Sequence, residues 1–192
     1  MQVAVLIPTH KNIFNYYEEL SILKILNFYK NYFDIYFICP ENIKEIFKKY
    51  KVKIASFPDK FFLNHKEYNK LCMSKNFYYR FQTYEYILVS QPDSIILEDK
   101  LTFWCQSNLS YIGGPSYHKK LISKKPKSPK YFCNGGFSLR KVNDFIEVLE
   151  SDKIFFKKLD FKQINQIGNA RAATKSECTS VFICLKSITG RF

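Results

Sequence analysis

No run of this sequence approaches the roughly 18 apolar residues that a bilayer-spanning helix needs, so no stretch reads as a transmembrane segment. The start, MQVAVLIPTHKN, has no basic leader, and its short apolar run is broken by Pro8, which excludes a signal peptide. Six cysteines (Cys39, Cys72, Cys105, Cys133, Cys178 and Cys184) form no CxxC and no zinc-like spacing with the three histidines. Reduced thiols are the simplest account. There is no P-loop, no G-x-G-x-x-G, no Ser-His-Asp order and no internal repeat. The absences together argue for a cytoplasmic protein, at most peripheral on the inner face of the membrane.

What is present is apolar, aromatic and basic. Hydrophobic residues make up 46% of the 192 and aromatics 18%, enough to bury a core and too much for a disordered chain. The formal charge of +13 is unevenly placed. Residues 1–118 carry 14 Lys and Arg against 11 Asp and Glu, whereas residues 119–192 carry 16 against 6. A basic second half suits an anionic partner such as a sugar nucleotide, an acidic glycan, a membrane surface or nucleic acid, or is simply a solvated lysine-rich surface.

Apolar runs and amphipathic stretches alternate. Val3 to Ile7 reads as a buried strand stopped by Pro8, Tyr17 to Tyr32 as an amphipathic helix, and Ile35 to Cys39 as a strand ended by Pro40. A short helix over 41–50, a strand over Val52 to Phe57 before Pro58, and a longer helical region from Asn64 to Phe81 follow. After the strand at Tyr86 to Val89 come a helix over 99–107 carrying Trp104, a brief strand at Tyr111-Ile112, and a helix from Lys141 to Ser151. This order predicts an α/β fold with a mostly parallel central sheet and helices on both faces. KKLISKKPKSPK, Lys119 to Lys130, holds six lysines and two prolines and reads as an exposed loop. Residues 1–161 form the predicted domain. Residues 162–192 are a poorly patterned tail with one plausible strand at Val181 to Leu185.

The most informative stretch is YEYILVSQPDSIIL, Tyr84 to Leu97. Its apolar run is too short for a helix and rich in β-formers, which predicts a strand buried on both faces. Pro92 cannot continue a central ladder, so the strand should stop near Ser90 or Gln91 and leave Asp93 at its carboxyl end. In open α/β sheets ligands bind along that edge. An Asp-Ser pair is equally ordinary turn chemistry, so a capping role for Asp93 stands beside a ligand-binding one.

Several segments in order resemble bacterial glycosyltransferase-like proteins that carry a domain of unknown function and a GT-A-type (Rossmann-like) nucleotide-sugar-binding core. They are VAVLIPTHKN, ELSILKILNFY, IYFICPENI, FFLNHKEYNKLCMSKNFYYRF, YEYILVSQPDSIIL, DKLTFWCQSNLSYIGGPSY and NGGFSLRKV, which together cover about residues 1–150. The resemblance implies transfer of a sugar from a nucleoside diphosphate donor to a surface polysaccharide or a related glycan or lipid-linked acceptor. It places the donor at Pro8, Thr9, His10, Tyr68, Asn69, Gln91, Asp93 and Ser94. The acceptor side falls at Gly113, Gly114, Pro115, Asn134, Gly135 and Gly136, with the lysine loop as a lid or a peripheral membrane contact.

GT-A enzymes typically bind a divalent metal through D-x-D, and the matching tripeptide here, Gln91-Pro92-Asp93, keeps only the last acid. Mg²⁺ or Mn²⁺ held weakly by Asp93, Gln91 and the donor phosphates is one reading. Positive charge from the lysine loop acting without a metal is the other. No catalytic base is assigned. Glu147, Glu150, Asp152 and Asp160 are the local acids, and the family's later acidic pair has no good match. Relative to that family, the end beyond Lys162 reads as truncated, which keeps open a catalytically silent sugar-nucleotide-binding or scaffold protein. Nucleic-acid binding is the weakest class, because charge alone suggests it and no RRM, zinc-finger or OB signature accompanies it.

Overall fold

Continuous apolar runs become central strands only where both faces of a sheet are covered. β1 (Val3–Pro8) and β4 (Tyr86–Ser90) are buried at every position, and β2 (Asp34–Pro40) at all but its first and third. The computed structural model describes the backbone of residues 1–116 and 131–150, and the side chains of 1–114 and 135–150. With β3 (Lys53–Phe57), β5 (Tyr111–Ser116) and β6 (Tyr131–Lys141), these strands form one six-stranded sheet in the order β3-β2-β1-β4-β6-β5. β1 is parallel to β2 and β4, and β2 to β3. β6 is antiparallel to both β4 and β5. The predicted α/β fold with a mostly parallel sheet is therefore what forms.

Strand alternation sorts the core into two layers. Val3, Val5 and Ile7 of β1 and Tyr86 and Leu88 of β4 enter one layer with Ile22, Ile25 and Tyr29 of α1 (Tyr16–Tyr29). Ala4, Leu6, Ile87 and Val89 enter the other, against Leu71 of α2 (His65–Cys72) and Phe77 and Tyr78 of α3 (Lys75–Tyr79). The 3₁₀ segment Glu41–Tyr50 and α4 (Leu101–Gln106) complete the first face, and α5 (Val142–Glu150) the second. Aromatic stacking fixes both layers. Phe37 lies 4.6 Å from Phe47 at 21°, and Tyr78 lies 4.8 Å from Phe145 at 23°.

Two local expectations change. The helical region from Asn64 to Phe81 divides, because Ser74 donates its hydroxyl to the Leu71 carbonyl (2.7 Å) and accepts from the Phe77 amide (3.3 Å), ending α2 and capping α3. The brief strand at Tyr111-Ile112 extends through Gly113-Gly114-Pro115 to Ser116. No described glycine has positive φ. Gly113 instead makes room for a ring, since a Cβ there would sit 2.7 Å from the Tyr111 phenol oxygen. Among the described cysteines Cys39, Cys72 and Cys105 are buried free thiols, and burial pushes Cys39 up to about 11 and Cys105 to about 12. The Lys119–Lys130 loop, the strand at Val181 to Leu185 and the tail 162–192 lie outside the described residues. No described helix is long and apolar enough to cross a membrane.

Candidate functional site

Parallel pairing sends β1, β2, β3 and β4 to finish on one edge, where Pro8, Pro40 and Phe57 end their strands. Two antiparallel pairings return β5 to the same direction, so it finishes there too. From β1 the chain continues to β2 on one side, and from β4 to β5 and β6 on the other. The order reverses between β1 and β4, the position at whose carboxyl ends open α/β sheets bind their ligands.

On the β1 side, the Thr9 amide donates to the Ile38 carbonyl (2.8 Å), prolonging the ladder past Pro8. The buried Thr9 hydroxyl accepts from the Lys11 amide (3.1 Å) and closes a tight turn that leaves His10 exposed at the edge. Partial burial, then the charges of Lys11 and His65, hold His10 below the ordinary 6.5, with Glu18 opposing. Thr9 does not cap α1. Asn15 does, its side chain accepting from the Tyr17 and Glu18 amides at 3.0 Å while Glu18 accepts from the Asn15 amide at 2.9 Å. Glu18 also pairs with Lys11 at 2.5 Å, which ties the loop carrying His10 to the helix.

On the β4 side, Gln91 to Ser94 form a turn. The Ser94 amide and hydroxyl both donate to the Gln91 carbonyl, at 2.9 and 2.6 Å. Pro92 takes the second position, where its fixed φ is suited, and Asp93 the third, half-buried. Ser94 is 2% exposed and lies 3.2 Å from the Ser90 hydroxyl, and its carbonyl accepts from Ser21 of α1. Ser94 thus holds from inside the turn that carries Asp93.

The Gln91 amide donates to the Gly136 carbonyl (2.8 Å), which joins the turn to β6. Gly113 pairs with Ser138, yet Gly114 pairs with Asn134, so three residues of β6, Gly135, Gly136 and Phe137, bulge out between successive partners. Gly136 thereby stands beside Gln91, while Gly113, Gly114 and Pro115 of β5 lie one strand further from it, across β6. Below them is a cavity of about 10 Å³, lined in part by Glu98, Lys100, Trp104 and Gly113. It has room for about one water.

Tyr68 and Asn69 are placed differently. The Tyr68 hydroxyl is buried among Cys72, Tyr78 and Arg140, with no hydrogen-bond partner among the described residues, while Asn69 is exposed on α2. Glu147 and Glu150 are exposed on α5, and Glu150 accepts from the Tyr79 hydroxyl. Asp152 and Asp160 lie outside the described residues. Among the described residues no group of three or more His, Cys, Asp or Glu is arranged to hold a metal. Sequence reasoning passed over Arg140, which is 6% exposed and bonded to Tyr78, Ser138 and Gly135. An arginine within a strand that otherwise reads as core was the available signal.

The fold defines a mixed α/β protein whose mostly parallel sheet reverses its order between β1 and β4. The family profile described as "Protein of unknown function (DUF5672)" matches residues 51–184, more than half of the chain, and the protein belongs to that family. No curated protein matches its sequence significantly. Similar solved structures include the 4-diphosphocytidyl-2C-methyl-D-erythritol synthase of Anaerococcus prevotii, with TM-score 0.49 and 12% identity over 90% of this chain and 86% of that one. A197 from STIV gives 0.45 and 14%, over 87% and 78%. S. aureus TarS 1-349 in complex with UDP-GlcNAc gives 0.39 and 15%, over 67% and 38%.

Proposed function

We propose that the edge at the carboxyl ends of β1 and β4 binds a nucleoside diphosphate sugar and that the protein transfers the sugar to a glycan or lipid-linked acceptor, as in bacterial surface polysaccharide synthesis. One observation carries this reading. Pro8 to His10 and Gln91 to Asp93, far apart in sequence, follow the two neighbouring strands between which the sheet reverses its order, and Gly136 of β6 is bonded to Gln91 beside them.

The backbone around Thr9 and the His10 ring suit the nucleoside and its phosphates, and Asp93 faces the diphosphate from the opposite wall. A single carboxylate at the turn fits a divalent ion that arrives with the diphosphate and is held by Asp93, not a resident ion caged by protein ligands. Bound there, Mg²⁺ or Mn²⁺ would neutralise the leaving diphosphate. The chain's own part is to fix Asp93 through the Ser94, Ser90 and Ser21 bonds and to approach the donor closely with the Gly135-Gly136 backbone.

Titration calorimetry with a panel of nucleoside diphosphate sugars and Mn²⁺ tests the reading. Wild-type protein should bind at least one donor, and Asp93→Ala should weaken it ten-fold or more while remaining folded. Equal affinity of the two proteins removes Asp93 from the site, and no binding across the panel overturns the proposal. The scarcity of acids at the edge favours one competitor, a donor-binding protein that transfers nothing. Release of free nucleoside diphosphate only when a glycan acceptor is added would decide for the enzyme.

A further inference from the structure

The guanidinium of Arg140 lies inside the layer formed by α2, α3 and α5, and the ion pairs among the described residues do not include it. Its Nη1 donates to the Tyr78 hydroxyl (2.8 Å), its Nε to the Ser138 hydroxyl (3.1 Å) and its Nη2 to the Gly135 carbonyl (3.2 Å). Ser138 in turn donates to the same Gly135 carbonyl (3.1 Å). A buried cation costs several kcal/mol of desolvation by typical figures, and such a group persists where its bonds are needed. Two of these three bonds, directly or through Ser138, converge on one peptide.

That peptide is the start of the bulge. Three residues of β6 oppose none of β5, so the bulged backbone loses ladder bonds there and needs other partners. Gly135 finds Arg140 and Ser138, and Gly136 finds the Gln91 amide. Gly135 has room for a side chain, because a Cβ there would meet nothing nearer than Arg140 Nη2 at 3.6 Å, so crowding does not impose the backbone path. The hydrogen bonds do.

We infer that Arg140 is a positioning residue: from the core it sets the Gly135-Gly136 bulge, and through the Gly136 to Gln91 bond it sets the turn that carries Asp93. Its consequence for donor affinity rests on the function proposed above, whereas its consequence for the bulge does not. The charge-assisted bonds are stronger than neutral ones, and Tyr78 anchors the guanidinium by its stacking on Phe145.

Two readouts on Arg140→Gln separate the two claims. Hydrogen exchange should show the Gln91 amide losing protection ten-fold or more while Leu88 and Val89 in mid-β4 keep theirs. Donor affinity by calorimetry should fall by a similar factor, and Arg140→Lys should recover part of both. Unchanged Gln91 protection, or equal deprotection of all three amides, overturns the inference and leaves Arg140 a core residue only. Local loss at Gln91 with wild-type protein that binds no sugar nucleotide would uphold the clamp and sink the proposed function. Should Arg140→Gln fail to fold, Ser138→Ala, which removes one of the two donors to Gly135, gives the same pattern or overturns the inference.

Discussion

His10 titrates under four influences, three lowering and one, Glu18, raising, and their net sign gives a pH dependence. Desolvation, Lys11 and His65 all disfavour the imidazolium, so the folded value lies below the ordinary 6.5. Between those two values the unfolded chain binds more protons than the folded one, so stability falls as pH is lowered through that window and is level above it. Urea midpoints compared at pH 7.5 and 5.5 should drop for the wild type, and the drop should shrink in His10→Gln. An anion at the edge acts oppositely. Adding UDP should move the His10 ring resonances toward a higher pKa, and no movement would place the diphosphate elsewhere.

At the scale of elements, α1 is anchored at its entrance as well as along its buried face. The Asn15 and Glu18 box satisfies orphan amides of the first turn, and Glu18 also holds Lys11. Asn15→Ala should cost about 1 kcal/mol of unfolding free energy by chemical denaturation. Because the same box fixes the loop bearing His10, donor affinity should fall as well, which a cap on an unrelated helix such as Ser74 should not produce. Helix and strand identities were largely legible because buried β1 and β4 are unbroken apolar runs. Ser74 was not read as a break, since a serine in a helical pattern caps or passes according to whether a neighbouring carbonyl is free to accept it. β6 was equally obscure, since its glycines look like turns until β4 and β5 flank them.

For the whole molecule, the aromatic core and the proposed site occupy different parts of the sheet. The interior layers carry the aromatic load, with Phe47 fully buried against Phe37 and Phe14. Phe47→Ala should cost about 3 to 5 kcal/mol, read as a lower urea midpoint with an unchanged slope. Asp93→Ala, at the carboxyl edge, should lower that midpoint much less. A result in which both variants unfold alike would mean that the edge belongs to the core.

By itself the sequence determined the alternation of strands and helices, the burial of β1 and β4, and the stop at Pro92 that leaves Asp93 at a strand end. These follow from local chemistry, namely apolar periodicity and a proline without an amide. Only the tertiary structure decided that β1 and β4 are neighbours across the switch point and that β6 runs against them. It also placed the Tyr68 hydroxyl in the core and brought Arg140 to Gly135. Pairing between strands dozens of residues apart is selected by how whole faces bury together, and no single segment carries that information.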